Sequence, residues 1–231
     1  MDRKNIMIQY EKKMEKVVSK KLELDYYLHL PDGYENEPDR KWPMLVYLHG
    51  GGACKDETRS GLLPVLPTFI VKAITENNYP FILISPQCPS LSWTLYFEEL
   101  YALITDVMGD YNADSSRIYL TGLSLGGYGT WDFAIRYPDL LAAIAPLCAS
   151  CSYWWETAKI RHLPVWIFHG ALDNSVPIND AVRMVNYMKD TGAEEVKMTV
   201  YGELYHHIWE TVYADPALYE WFLQHQKAEL G

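Results

Sequence analysis

The chain has 231 residues, thirty acidic against twenty basic, with a formal net charge of −10. Hydrophobic residues make up 49% and charged residues 22%, enough to bury a core and too little charge for intrinsic disorder. The acidic balance opposes a nucleic-acid partner, which needs clustered Lys and Arg to displace counterions.

At the N-terminus the only apolar run is Ile6-Met7-Ile8, short of the roughly 7–15 residues of a secretory signal. No stretch reaches the ~20 apolar residues of a membrane helix, so a cytoplasmic protein without a membrane partner is expected. Leu24 to Leu30 reads as a strand, followed by the turn Pro31-Asp32-Gly33-Tyr34. Met44 to Leu48 reads as a buried strand running into His49-Gly50-Gly51-Gly52. A helix is expected from about Leu62 to Asn77, then a strand over Phe81–Ser85 and a helix from Leu95 to Tyr111. Asp114-Ser115-Ser116 reads as a turn feeding the strand Arg117–Thr121, and a helix follows from Leu125 to about Tyr137. Ala142–Leu147 and Val165–Phe168 are two further strands. Asn179 is placed to cap a helix that stops at Gly192, and Val196–Tyr201 is the last strand. Asp215-Pro216 starts the final helix, with Pro at its first position. This alternation predicts an α/β fold, a mostly parallel sheet with helices on both faces, in one domain over 1–231.

Four cysteines, Cys54, Cys88, Cys148 and Cys151, are too few for a disulfide scaffold and read as buried free thiols. Cys148 and Cys151 have metal or redox spacing, but no second pair follows, so no metal is expected.

Gly122-Leu123-Ser124-Leu125-Gly126 matches G-x-S-x-G between a strand and a helix. Small residues two places either side of the serine let helix and strand cross closely. The turn projects the Ser124 hydroxyl outward and brings the Leu125 N–H to the same point. Such a hydroxyl needs a general base, and the base needs an anion. Asp173, just past the strand Val165–Phe168, is the candidate acid; the competing reading is an Asx-turn. Past the last strand come His206 and His207, and His206, five residues after Tyr201, is favoured as the base. A second oxyanion donor arises in the glycine run after Leu48, with Gly51 ahead of Gly52. A base of ordinary imidazole acidity makes activity rise with pH through roughly 6–7.

These features together resemble the α/β-hydrolase superfamily, and within it small serine esterases grouped with feruloyl and acetyl esterases and polyhydroxybutyrate-depolymerase-like proteins. Leu28 to Tyr34 resembles their opening strand and turn, and Leu48-His49-Gly50 their oxyanion motif. Gly122 to Gly129 with Trp131 resembles the nucleophile turn and its helix, and Asp173-Asn174-Ser175-Val176-Pro177 the acid loop. His206, three residues before Trp209, resembles the base loop, although Glu203-Leu204-Tyr205 stands where small residues are usual. The resemblance implies hydrolysis of carboxylic esters on a minimal α/β-hydrolase core with little cap, and no cofactor. Trp93, Trp154 and Trp155 are candidates to line an acyl or alcohol pocket, suited to short-acyl, feruloyl or acetyl-carbohydrate esters. A small serine peptidase of the same fold and a non-catalytic binding protein are the alternatives. The oligomeric state is not legible.

Overall fold

The computed structural model describes residues 13–16, 19–54 and 67–227. Seven strands form one sheet: β1 (Tyr26–His29), β2 (Trp42–Leu48), β3 (Ile82–Pro86), β4 (Ala113–Leu123), β5 (Ala143–Leu147), β6 (Val165–Gly170) and β7 (Val196–Tyr201). Their order is β1-β3-β2-β4-β5-β6-β7. β1 is antiparallel to β3, and every other pair is parallel.

Side-chain alternation along β2 shows why helices cover both faces. Met44, Val46 and Leu48 pack with α2 (Phe97–Asp110), α3 (Leu125–Arg136) and α4 (Ile178–Asp190). Leu45 and Tyr47 pack on the other side with α1 (Thr68–Glu76), α5 (Trp209–Ala214) and α6 (Pro216–Leu223). A strand buried on both faces must be apolar at consecutive positions, and all seven residues of β2 are buried.

The expected helix from Leu62 is observed from Thr68 to Glu76, and its positions 62–66 lie outside the described residues, as does the 6–8 run. The turn expected at Asp114-Ser115-Ser116 is instead part of β4. The Asp114 carboxylate accepts from the Ser116 N–H at 2.9 Å and from Arg117 Nε at 2.7 Å. The kink is absorbed where the register against β2 shifts between Trp42 and Met44. Asn179 lies inside α4, whose N-cap is Pro177 with no side-chain cap bond. A missing cap costs about 1 kcal/mol. Burial of Ala181, Met184, Val185 and Met188 along one stripe outweighs it, at roughly 1.5–3 kcal/mol for each large side chain. Gly192 does end the helix, at φ +84. The six-residue α5 had no expectation.

Parallel strands bring the carboxyl ends of β2, β4, β6 and β7 to one edge of the sheet. The segments leaving that edge carry the glycine run, Ser124, Asp173 and His206. No helix among the described residues is long and apolar enough to cross a membrane.

Candidate active site

Ser124 joins β4 to α3 with φ 51 and ψ −116, a left-handed backbone that a side chain rarely adopts. Its N–H donates to the Leu147 carbonyl at 2.9 Å, which anchors the turn to β5. The flanking glycines are required by contact. A Cβ on Gly126 would stand 1.9 Å from the Leu48 carbonyl oxygen, and one on Gly122 would stand 2.4 Å from the Gly126 carbonyl oxygen. As the first residue of α3, Leu125 has no intrahelical acceptor for its N–H.

Asp173 follows β6 in a tight turn, its N–H donating to the Gly170 carbonyl at 3.2 Å. One carboxylate oxygen accepts the Ser175 and Val176 N–H groups, both at 2.9 Å. The Asx-turn is therefore present, and the second oxygen remains for a partner. That partner is His206, whose Nδ1–H donates to it at 2.7 Å. The Asp173 side chain is fully buried. Burial opposes its ionisation, but the Val176 N–H, His206 and the Ser175 N–H outweigh burial and hold its pKa below the usual carboxylate range.

With Nδ1 carrying the proton, Nε2 of His206 accepts, and the Ser124 hydroxyl donates to it at 2.9 Å. The structure thus brings together Ser124, His206 and Asp173. His207 is turned away, stacked on Trp209 at 3.8 Å and facing Glu210 at 3.5 Å. Gly170 gives the base loop its seat: a Cβ there would lie 2.1 Å from the Tyr205 carbonyl oxygen.

A hollow of about 360 Å³ opens over this constellation, lined by Gly50, Gly51, Gly52, Ser124, His206 and Trp209 among others. Gly51 lines this hollow beside Ser124, and Leu125 follows Ser124 as the first residue of α3. The buried His49 orders the glycine run. Its Nε2 accepts the Cys88 N–H at 2.9 Å, so Nδ1 carries the proton and donates to the Gly50 carbonyl at 2.7 Å. In a trans peptide the N–H points opposite to the C=O, so this bond also sets the direction of the Gly51 N–H. Burial lowers the His49 pKa against the bond to Gly50, which keeps the ring neutral.

The three tryptophans stand elsewhere. Trp93, expected to line a pocket, is only 1% exposed. Its indole N–H donates to the His49 carbonyl at 3.2 Å, and its ring fills the space beside Gly129. It braces the glycine run from below. Trp154 packs edge-on against Tyr187 at 4.9 Å, and the half-exposed Trp155 lines a different groove. Both lie in a short 3-10 segment, Trp154–Ile160, packed on α4 and α3.

Two neighbours of the site had no expected part in it, although Cys148 was expected, and is found, as a buried free thiol. His169 is buried at the end of β6, donating to the Val176 carbonyl at 2.8 Å and 3.4 Å from the Asp173 carboxylate. Its position, directly before Gly170 and four residues ahead of the acid, is the signal that marks it. Cys148 has φ 48, and its thiol donates to the His206 carbonyl at 3.1 Å. Cys148, Asp173 and His206 are the group with metal-ligand spacing among the described residues, their ligand atoms all within 4.8 Å of one another. Those atoms are already engaged: Asp173 and His206 bond each other, and burial pushes the Cys148 thiol up to about 12.

A seven-stranded sheet with a serine at the strand–helix turn and acid and histidine on later loops defines an α/β-hydrolase fold. Residues 94–217 match the Phospholipase/Carboxylesterase family. The chain belongs to that family. Among curated proteins it is similar to Feruloyl esterase B of Neurospora crassa, with 30% identity over 131 residues, covering 51% of this chain and 41% of that protein. The chain spans about two fifths of that relative's length. A solved thermostable esterase superposes with a TM-score of 0.73 at 29% identity, covering 88% of this chain and 59% of that one. A ferulic acid esterase structure superposes with a TM-score of 0.66 at 17% identity, over 85% of this chain and 89% of that one, a likeness of fold.

Proposed function

We propose that this protein hydrolyses carboxylic esters through an acyl-enzyme, with Ser124 as nucleophile, His206 as proton carrier and Asp173 as its anchor. The observation that carries the reading is the unbroken hydrogen-bond chain from Ser124 to His206 at 2.9 Å and from His206 to Asp173 at 2.7 Å. In the first step Nε2 of His206 takes the hydroxyl proton as the Ser124 oxygen attacks the ester carbonyl carbon. The carbonyl oxygen becomes an oxyanion, which accepts from the Leu125 and Gly51 N–H groups. Each such donor contributes about 2.7–4 kcal/mol to the transition state. Collapse breaks the bond to the alkoxy oxygen, which leaves as the alcohol with the proton returned by His206. A water molecule, deprotonated by the same nitrogen, then attacks the acyl carbon and releases the acid. Asp173 stays ionised throughout and stabilises the imidazolium.

A hollow of about 360 Å³ lies near the lower end of ligand sites, which run from about 300 to 1,000 Å³. Its size favours a short acyl or single aryl group, and the similarity to Feruloyl esterase B supports feruloyl esters among aryl substrates. Acetyl groups on carbohydrate are of equally suitable size.

Turnover of p-nitrophenyl acetate, methyl ferulate and an acetylated sugar by wild type and Ser124→Ala tests the reading. Wild type is expected to hydrolyse at least one, with Ser124→Ala reduced about 10³-fold or more at unchanged folding. A fluorophosphonate should add covalently to Ser124. Retained turnover in Ser124→Ala would overturn the assignment.

A further inference from the structure

A groove larger than the hollow at Ser124 lies elsewhere on the protein. It has a volume of about 690 Å³ and runs between the segment Trp93–Phe97, the outer side of α3 and the turn leading into residues 154–160. Phe97 and Ile135 are among its lining residues, and Phe97 packs edge-on against Phe133 at 5.3 Å.

Two exposed rings stand on one wall. Tyr153 is 59% exposed and Trp155 48%, yet neither swings freely. They meet edge-to-face at 5.6 Å, and Trp154 braces Trp155 from behind at 5.7 Å and 85°. Leaving two large rings in water forfeits the apolar burial available elsewhere, so a braced, exposed pair points to a ligand that covers them.

The polar lining says what kind. Arg136 and Lys159 supply donors, Asp132 and Glu156 supply acceptors, and the four charges cancel. In a chain of net charge −10 the groove is locally neutral, so it favours neither an anion nor a cation. Asp132 is held in place by the Ser152 N–H at 3.0 Å and the Ser152 hydroxyl at 2.6 Å. Glu156 pairs with Lys159, and Arg136 has no carboxylate partner among the described residues. A fitting ligand is neutral, has flat apolar faces for the rings, and carries donors and acceptors along its edges. A pyranose ring has that chemistry: C–H bonds on its faces and hydroxyls around its rim. The volume accommodates more than one such ring.

We propose that this groove binds a neutral pyranose oligosaccharide, separately from the hollow at Ser124. The groove and the serine site both flank α3, so a bound glycan would hold the protein on a polysaccharide while the serine site remains open.

Calorimetric titration with unesterified xylohexaose, cellohexaose and mannohexaose tests this, because these sugars offer no ester. At least one is expected to bind wild type, and Tyr153→Ala and Trp155→Ala are expected to weaken it about tenfold or more. Melting temperatures of both variants report whether the fold is kept, which the exposure of both rings favours. Arg136→Gln keeps a donor and should bind better than Arg136→Ala. The proposal is overturned if no sugar binds wild type at concentrations on the order of 10 mM, or if both ring variants bind as wild type does. Binding of free ferulate in place of the sugars would also overturn it. Turnover of p-nitrophenyl acetate is measured apart, so a failed ester reading would leave the sugar result intact, and the reverse.

Discussion

At the scale of single residues, His49 shows how the proposed oxyanion donor, the Gly51 N–H, is aimed by a side chain outside the hollow. Its ring bonds the Cys88 N–H and the Gly50 carbonyl, and the Gly51 N–H follows from the geometry of the peptide between Gly50 and Gly51. His49→Ala should lower kcat on p-nitrophenyl acetate about 10–10³-fold with KM changed far less, because a misdirected donor is felt in the transition state. Loss confined to KM would show that the ring supports binding instead. Ser124, Asp173 and His206 were legible in the sequence because each follows a strand in fixed order, and the structure brings their side chains into contact. His49 as a positioning group was not legible, since its role depends on Cys88, 39 residues away. The tryptophans misled for a related reason: composition marks an aromatic surplus, but packing decides which ring reaches which hollow. Trp93 lies under the glycine run because Gly129 leaves room for it.

At the scale of elements, the strand–helix alternation was readable because β2 is an unbroken apolar run, β3 begins with one, and α2 and α4 carry clear stripes. The exceptions are local. Asp114 writes a turn that the sheet absorbs, and α5 has too few residues to show a period. The base loop sits on the end of β6 through the bare backbone of Gly170, so Gly170→Ala should drive the Tyr205 carbonyl, and His206 with it, away from Ser124. Activity is expected to fall at least tenfold, whereas Gly202→Ala, where nothing stands within 4 Å, should behave as wild type. Equal effects of the two substitutions would mean that the loop is not seated by this contact. Comparing melting temperatures separates displacement of the loop from loss of the fold.

At the scale of the whole molecule, three buried titratable groups at or near the site contribute to the response to acid. Burial lowers the pKa of His49 and His169 despite their carbonyl partners, so the unfolded chain binds more protons than the folded one below the ordinary imidazole value. Stability should therefore fall as pH drops below about 6.5. Asp173 adds a second loss at lower pH: its depressed pKa contributes stability that is complete above about 3.9 and disappears as pH falls through the folded value. Melting scans between pH 7.5 and 5.5 should show the first loss, and His169→Gln, which keeps a donor for the Val176 carbonyl, should flatten it. An unchanged slope in that variant would remove His169 from the account. The left-handed backbone at Ser124 acts on the same global quantity in the opposite sense. Residues held in such backbone cost on the order of 1–3 kcal/mol, and glycine relieves it at an entropic cost of about 0.5–1 kcal/mol. Ser124→Gly should therefore melt about 2–4 °C higher than wild type, while Ser124→Ala, which keeps the Cβ, should not. The protein would then be sturdiest without its proposed nucleophile: heat tolerance and the proposed reaction make opposite demands on one backbone angle.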